Sequence, residues 1–297
     1  MAKLGFLGLG IMGYPMARHL IQAGHDVFLW SNTAQKAQKL ASEAHASACV
    51  TPKNVGEQAD CIFLCVGDSA MSEQVLLGKD GVIEGAKRGA VIADCSTISP
   101  SVSRSTGAKL AEKGVHYLDA PCTGSKAGAE GGTLTFMIGG DKAVFEKTKP
   151  FFEAMGKNFY YCGGSGLGLH AKLSQNLILS NMLQAFNEGM VLAVKAGVNP
   201  AQMVDILNNS AAKSGLIASK APAVLKRNFD TAFSTKWMHK DVTLALDSAG
   251  DLMVPLPLTG VTQQMYRAAI SMGYGEEDLS ATVKVLENIA GVEVKES

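Results

Sequence analysis

The sequence predicts an α/β domain with a largely parallel sheet, followed by an all-helical domain. Three observations lead to this prediction: short apolar runs alternate with amphipathic stretches in the first half, a glycine-rich turn follows the first run, and the second half has almost no strand pattern. Because parallel strands are joined by helical crossovers, such alternation indicates βαβ units. We expect the first domain to cover residues 1–163 and the second to cover residues 164–297.

The first domain begins with an apolar strand over residues 3–7 and a helix over 12–23, which ends before Gly24. A second helix is predicted over 34–45, where Ala, Gln and Lys are frequent. The direction of the last strands stays open, because an apolar run does not distinguish parallel from antiparallel pairing. Further apolar runs with the length of buried strands lie at 27–30, 61–66, 90–94, 115–119 and 133–139.

The pattern changes after Tyr160. A glycine-rich stretch over 163–168 predicts a flexible junction, and residues 169–197 are sufficient for one long helix. Asn199 before Pro200 is typical of a helix start, because asparagine caps the first turn and proline fits its first position. The tail, residues 292–297, is expected to fray.

Composition excludes several function classes. The 297 residues carry no net charge, so no overall field attracts nucleic acid or anionic lipid. The six cysteines are scattered and form no zinc pattern, so no metal site is expected. The first residues lack the features of a signal peptide, and no uncharged apolar run is long enough to span a bilayer. We therefore expect a cytoplasmic protein that acts on a small molecule, without nucleic-acid or membrane partners.

A glycine fingerprint lies between the first strand and the first helix. Its glycines allow a tight turn, close approach of the backbone to a diphosphate and close packing of the helix on the strand. The N-terminus of the following helix offers unpaired N–H groups to the same diphosphate. This context predicts that a dinucleotide is held by Gly8, Leu9, Gly10, Ile11, Met12 and Gly13.

The end of the second predicted strand indicates the type of dinucleotide. A site for NAD usually has an aspartate or glutamate there, which accepts hydrogen bonds from the ribose hydroxyls. This chain has no acid there, but Ser31, Asn32, Thr33 and, at the start of the next helix, Lys36. These groups can donate to a 2′-phosphate or neutralise it. The sequence therefore favours NADP(H) and leaves NAD(H) as an alternative, because the arginine of a strong NADP site is missing.

Six motifs occur in a fixed order along the chain: Gly8–Ala17, Asp94–Pro100, Asp119–Ser125, Gly132–Gly140, Gly168–Asn176 and Lys240-Asp241. In this order they resemble the β-hydroxyacid dehydrogenase family. That family includes 3-hydroxyisobutyrate dehydrogenases, tartronate semialdehyde reductases and glyoxylate/succinic semialdehyde reductases. The resemblance extends over nearly the whole chain and is far more specific than the glycine fingerprint alone.

The resemblance implies a Rossmann domain, an all-helical domain, a long helix that joins them, and hydride transfer to or from a nicotinamide. The family's general acid/base is the lysine that matches Lys172, and the asparagine that matches Asn176 orients the substrate. Helical domains of this kind usually pair between subunits, which implies a homodimer or a homotetramer.

The same resemblance assigns the remaining site residues. A loop that holds the substrate carboxylate matches Thr123, Gly124 and Ser125. Residues of the second domain that close the site match Phe233 and Asp241. Residues along the cofactor match Cys65, Val66, Gly67, Thr97 and Lys240.

Three departures from the family bear on the substrate. The family usually reads Asp-Ala-Pro-Val-Ser-Gly-Gly where this chain has Cys122, Thr123 and Ser125. Threonine keeps the hydroxyl but its methyl group narrows the pocket, and a serine at 125 restricts the backbone more than glycine does. Many NADP-dependent members read Asn-Arg-Thr at residues 31–33. The segment after Phe233 carries an extra lysine and tryptophan, at 236–237.

Carbonyl reduction requires a hydride on carbon and a proton on oxygen. Lys172, as an ammonium, can give the proton and stabilise the developing alkoxide. Asn176 is four residues further on, so a helix places both on one face. His170 is two residues from Lys172 and lies on a different face, which argues against a catalytic role for it.

The sequence favours an NADP(H)-dependent reductase of a short aldehyde acid or keto acid, such as glyoxylate, succinic semialdehyde or tartronate semialdehyde. One alternative is a reductase of imines or neutral carbonyls on the same scaffold, although imine reductases typically lack a lysine at the position of Lys172. A second alternative is a non-enzymatic dinucleotide-binding scaffold, in which loss of this lysine would be expected.

Overall fold

A computed structural model describes residues 1–296 of the chain. The chain forms two compact units, Met1–Lys172 and Leu173–Ser297. The sequence placed the domain boundary at residue 163, whereas the two units divide nine residues later, within the long helix. Each unit is described separately.

The first unit contains one sheet of nine strands within the described residues. The strands are β1 (Lys3–Leu7), β2 (Asp26–Trp30), β3 (Ser47–Ala48), β4 (Cys61–Leu64), β5 (Val91–Asp94), β6 (His116–Asp119), β7 (Cys122–Thr123), β8 (Leu134–Gly139) and β9 (Gly156–Gly163). Their order is β3-β2-β1-β4-β5-β6-β8-β7, and β9 pairs with β8. Strands β1 to β6 run parallel, whereas β8 is antiparallel to β6 and parallel to β9. The largely parallel α/β domain is confirmed, and the direction that the sequence left open reverses at β8.

Helices fill most of the connections between these strands, and a long helix follows the last strand. They are α1 (Gly13–Gln22), α2 (Ala34–Ala44), α3 (Pro52–Gln58), α4 (Ser69–Leu77), α5 (Val82–Gly85), α6 (Pro100–Glu112), α7 (Ser125–Glu130), α8 (Lys142–Glu153) and α9 (Leu167–Lys195). Side chains cap several of them, such as Asp68 on α4 and Asp141 on α8, because the first backbone N–H groups of a helix lack partners inside it. Aromatic rings of Phe63 and Phe136 meet Phe152 edge to face at 5.2 and 5.1 Å, and this contact seals the sheet against α8.

The second unit is helical, as the sequence predicts. After the C-terminal part of α9 it comprises α10 (Pro200–Asn208), α11 (Gly215–Leu225), α12 (Thr235–Asp251), α13 (Pro257–Ala269) and α14 (Val283–Ala290). The chain continues from α13 into a kinked segment over Ile270–Tyr274, in which Gly273 has φ +91°, and a 3₁₀ turn spans Leu279–Thr282. The Asn199 side chain accepts a hydrogen bond from the Gln202 N–H at 3.1 Å, which confirms the predicted cap of α10.

The end of the chain is docked rather than frayed, so that prediction is wrong as far as Glu296; Ser297 lies outside the described residues. The Val294 side chain is fully buried, and its N–H donates to Glu287 at 2.8 Å. Arg227 donates to both carboxylate oxygens of Glu287, at 2.6 and 2.9 Å. This bidentate pair joins the end of α11 to α14, and Val294 binds to both of its members, which fixes the tail on the helical core.

Helix α9 is the one helix among residues 1–296 whose length and apolar composition alone would allow it to cross a membrane. Long core helices meet the same criterion. Leu183, Phe186 and Met190 of α9 are buried in the hydrophobic core of the second unit, which is the position of a core helix.

Candidate active site

The glycine fingerprint forms the turn between β1 and α1. Gly8 has φ +90°, and a Cβ atom on it would collide with the carbonyl oxygen of Cys65. A Cβ atom on Gly13 would collide with the carbonyl oxygen of Gly8. Gly10 differs, because a Cβ atom there meets nothing within 4 Å. Two glycines therefore close the turn, and the middle one leaves open space beside the N-terminus of α1, where a diphosphate fits.

The other residues of the turn contribute differently. The Leu9 side chain is buried in the core, so only its backbone is available to a ligand. Ile11 is about half exposed, and Met12 is half-buried at the start of α1. The sequence did not distinguish these three environments.

The segment after β2 carries the groups predicted to select the dinucleotide. The Ser31 hydroxyl accepts a hydrogen bond from the Thr33 N–H at 3.4 Å, which turns the chain into α2. Asn32, Thr33 and Lys36 are exposed, and Lys36 lies in the first turn of α2. Residues 31–36 contain no acid, so no carboxylate opposes a phosphate at this edge.

Asp94, which the sequence analysis did not single out, organises the ends of β4 and β5. This buried carboxylate accepts hydrogen bonds from Ser72 Oγ at 2.6 Å, the Ser96 N–H at 2.9 Å and Tyr117 at 3.1 Å. Ser96 Oγ in turn accepts from the Val66 N–H at 2.8 Å. Burial raises the pKa of Asp94, although its hydrogen-bond donors oppose the rise. The network fixes the loops that contain Cys65, Val66, Gly67 and Thr97.

The loop predicted to hold a carboxylate has an unusual backbone. Thr123 pairs with Thr135 in the β7–β8 ladder, and Gly124 has φ +134°. Ser125 has φ +57°, which lies in the left-handed region that residues other than glycine rarely adopt. Serine therefore occupies a backbone conformation that glycine adopts more easily.

Lys172 lies in the second turn of α9 and is 7% exposed. Its positive charge acts on the Cys122 thiol: burial raises the pKa of that thiol to about 11, and Lys172 opposes the rise. The lysine is therefore close to the start of the Thr123 loop. His170 has a different neighbour, because burial and then the charge of Arg104 lower its pKa. The two side chains occupy different environments, as the helical spacing predicts.

Asp119, also missed by the sequence analysis, joins the end of β6 to the start of α9. Its Oδ1 accepts from the Gly166 N–H at 2.7 Å, and its Oδ2 accepts from the Leu169 N–H at 3.0 Å. Burial raises the pKa of Asp119 to about 6, although these backbone donors oppose the rise. The predicted flexible junction over 163–168 is wrong, because Gly166 and Gly168 are buried against this carboxylate.

In the second unit, Asn176, Asp241 and Lys240 form a cluster. Asn176 Nδ2 donates to Asp241 Oδ2 at 2.6 Å, and Lys240 Nζ lies 3.1 Å from Asp241 Oδ1. Asn176 and Asp241 are 3% and 2% exposed. Since an ionised carboxylate only accepts, the Asn176 amide must turn its nitrogen to Asp241. Asp241 thus orients the amide of Asn176 and the ammonium of Lys240.

The segment 233–237 lies at the start of α12. Phe233 packs against the core of the second unit, and its N–H donates to Asp278 at 3.2 Å. The Trp237 ring has Lys236 at 5.3 Å and Lys240 at 5.7 Å from its centre. Within residues 1–296, no group of three or more His, Cys, Asp or Glu side chains is arranged to hold a metal ion.

Comparisons with known proteins agree with this organisation. Residues 3–164 match the NAD binding domain of 6-phosphogluconate dehydrogenase, and residues 166–286 match the NAD-binding family of NADP-dependent 3-hydroxyisobutyrate dehydrogenase. A 2-(hydroxymethyl)glutarate dehydrogenase from Eubacterium barkeri is 37% identical, over 98% of this chain and 97% of that protein. A 2-hydroxy-3-oxopropionate reductase from Escherichia coli is 38% identical, over 97% and 98%. A 3-hydroxyisobutyrate dehydrogenase structure from Mycobacterium tuberculosis has a TM-score of 0.88 at 28% identity, with 96% and 99% covered.

Proposed function

The chain belongs to the β-hydroxyacid dehydrogenase family, and we propose that it reduces a short aldehyde acid or keto acid to the hydroxy acid. As a member of this family it is an oxidoreductase that uses a nicotinamide dinucleotide. One observation carries the substrate proposal: a buried lysine, Lys172, lies beside the loop that begins at Cys122 and continues through Thr123.

The dinucleotide supplies the hydride when it is bound. Gly8, Gly10 and Gly13 fit its diphosphate, because the turn is closed at its two ends and open at Gly10. We assign the preference to NADP(H), with NAD(H) as the weaker cofactor. The acid-free segment with Ser31, Asn32, Thr33 and Lys36 supports this choice.

Lys172 is the proposed general acid/base. In reduction its ammonium donates a proton to the carbonyl oxygen, and its charge stabilises the alkoxide that forms. The carboxylate of the substrate is assigned to the Thr123 hydroxyl and to the backbone at Gly124 and Ser125. Asn176 follows Lys172 by one turn of α9, and we assign its amide to the substrate oxygen, with Asp241 setting its orientation.

An oligomer is proposed from the surface of the second unit. Ile178, Met182 and Leu192 form an exposed apolar row on α9, and Leu258 and Val261 are exposed on α13. Large apolar side chains on two helices are typical of a surface that pairs with another subunit. We propose a homodimer or a homotetramer, and multi-angle light scattering that finds a 31.1 kDa species would contradict it.

We place the protein in the cytoplasm, since all six cysteines are free, as in a reducing compartment.

The substrate proposal is tested by oxidation of NADPH and NADH in parallel with glyoxylate, succinic semialdehyde, tartronate semialdehyde, a neutral aldehyde and a cyclic imine. Turnover of an acid-bearing carbonyl, faster with NADPH, is the expected result. Turnover of only the neutral aldehyde or the imine would contradict the carboxylate role of the Thr123 loop.

The catalytic role is tested with Lys172→Ala. We expect turnover to fall by roughly 10²–10⁴-fold, the usual effect of removing a positioned acid/base, with little change in dinucleotide affinity. Lys195→Ala, at the exposed end of the same helix, is the control and should keep normal turnover. Near-normal turnover of Lys172→Ala would reject the assignment.

A further inference from the structure

The carboxylate of Asp119 is bound at the N-terminus of the helix that carries Lys172. It is 1% exposed, and each of its oxygens accepts one backbone N–H, from Gly166 and from Leu169. The first N–H group lies directly before α9, which begins at Leu167, and the second lies in its first turn. The first N–H groups of a helix have no acceptor inside the helix, and its positive end attracts an anion. Asp119 therefore fixes the helix start by two separate bonds.

Two glycines allow this close approach. A Cβ atom on Gly139 of β8 would lie 2.5 Å from Asp119 Oδ1. A Cβ atom on Gly168 would collide with the carbonyl oxygen of Met137 and lie 2.8 Å from the backbone oxygen of Asp119. The start of α9 is thus held against β6 and β8, with no room for it to shift toward them.

Lys172 lies three residues beyond Leu169, which is roughly one turn or ~4.5 Å along the helix axis. A rotation or a displacement of the first turn is therefore transmitted directly to the Lys172 side chain. The distance between the anchored N–H and the lysine is short enough that the helix between them is effectively rigid.

The ionised form of the Asp119 carboxylate is costly where it is buried, because burial raises its pKa to about 6 although the backbone donors oppose the rise. Backbone N–H groups of Gly166 and Leu169 donate to its two oxygens. Burial of an ionised carboxylate costs free energy even where backbone N–H groups donate to it. A costly buried carboxylate that contacts the first turn of α9, close to Lys172, suggests a role in the reaction.

We propose that Asp119 is a positioning residue for Lys172: by holding the first turn of α9, it sets where the ammonium meets the carbonyl oxygen. This inference rests on the proposed catalytic role of Lys172. Asp119 touches neither the substrate nor the dinucleotide in this proposal, and it acts through the helix.

The chain contains a matched control. Asp94 and Asp119 are register partners at the ends of neighbouring parallel strands, and both are buried. Asp94, however, accepts from Ser72 of α4, from Ser96 in the loop after β5 and from Tyr117 of β6, and none of these residues belongs to α9. The same substitution at the two positions therefore separates the helix anchor from the loop network.

The experiment compares Asp119→Asn, Asp94→Asn, Lys172→Ala and the Asp119→Asn/Lys172→Ala double variant. For Asp119→Asn we expect kcat to fall roughly 10–100-fold, as for a catalytic group displaced by about 1 Å, with the Kd for NADPH within about threefold of the parent. Asp94→Asn should instead weaken NADPH binding. The double variant should be no slower than Lys172→Ala, because both changes act through one group.

Each outcome decides the inference. An unchanged kcat in Asp119→Asn, or a double variant in which the two losses multiply, overturns it. If Asp119→Asn does not fold, Asp119→Ser takes its place, since it is smaller and places no amide donor against the backbone N–H groups. If Lys172→Ala itself keeps its turnover, the proposed function fails, which is a different result from normal turnover in Asp119→Asn alone.

Discussion

The glycine turn of the first unit and the Asn176–Asp241–Lys240 cluster of the second are built in different ways. The turn depends on backbone geometry: two glycines are required because a Cβ atom would collide with a carbonyl oxygen. The cluster depends on side chains, with one buried carboxylate between an amide and an ammonium. Backbone sites tolerate changes of side chain around them, whereas a buried polar cluster fails when one member loses its partner.

The largest contrast is expected within the turn itself. Gly13→Ala should destabilise the first unit and abolish dinucleotide binding, because its methyl group meets the backbone of Gly8, which cannot rotate away. Gly10→Ala should leave the melting temperature unchanged, since its methyl group meets open space, yet weaken NADPH binding roughly tenfold or more. Thermal unfolding and fluorescence titration with NADPH check both variants. Normal NADPH affinity in Gly10→Ala would mean that the diphosphate does not lie at this turn.

A second test breaks the cluster. Asp241→Asn keeps the shape of the side chain, but it sets an amide against the Asn176 amide and removes the carboxylate that pairs with Lys240. We expect kcat to fall roughly 10–100-fold through misorientation of Asn176. Asp247→Asn on the exposed face of α12 is the control and should be normal. Steady-state kinetics decide, and a kcat equal to that of the control would show that Asp241 does not orient the amide.

The third test measures how stability depends on pH. It concerns Asp119, a buried carboxylate that accepts from backbone N–H groups, in contrast to Asp241, which pairs with a lysine. The pKa of Asp119 rises from 3.8 to about 6 on folding, so the folded state binds the proton more tightly than the unfolded chain. Stability from this group is complete below pH 3.8 and is lost as the pH rises through 6. Asp119→Asn does not titrate, so between pH 4 and pH 7 the unsubstituted protein should lose stability relative to this variant, by roughly 2 kcal/mol. Urea unfolding of both proteins across this range measures the difference, and a pH-independent difference would contradict it.

The smallest effect is expected at Ser125. Because its φ is +57°, Ser125→Gly removes an unfavourable backbone conformation that costs roughly 1 kcal/mol, partly offset by the freedom glycine gains in the unfolded chain. The free energy of unfolding should therefore stay the same or rise by up to about 1 kcal/mol. Ser219→Gly, in the middle of α11, should lose about 0.5–1 kcal/mol instead. Equal losses at both positions would mean that the backbone at Ser125 carries no strain.

The two regions also differ in how far the sequence predicts them. The glycine turn is local, so spacing alone placed it between β1 and α1, and the same holds for the Asn199 cap. The Asn176–Asp241 bond joins residues 65 positions apart, and the Asp119–Gly166 bond joins residues 47 apart. Periodicity in the sequence does not predict hydrogen bonds between residues so far apart. Asp119 and Asp94 were therefore recognised only as members of motifs that resemble the family, and their bonding partners were not predicted. The glycines at 166 and 168 were interpreted as a flexible junction, because glycine occurs both in mobile loops and where backbones pack closely. In the structure these two glycines allow close packing.

The docked tail has a practical consequence for anyone who handles the protein. Val294 fills a fully buried position, and Arg227 depends on Glu287 and on the carbonyl of Val294 at 3.3 Å. A purification tag or a fluorophore attached directly after the last residues would strain the contacts of Val294. Removal of the residues after Gly291 would expose the part of the helical core that Val294 covers. A tag is therefore better attached at the amino end, or at the carboxyl end through a spacer, so that the last residues keep their contacts with the helical core.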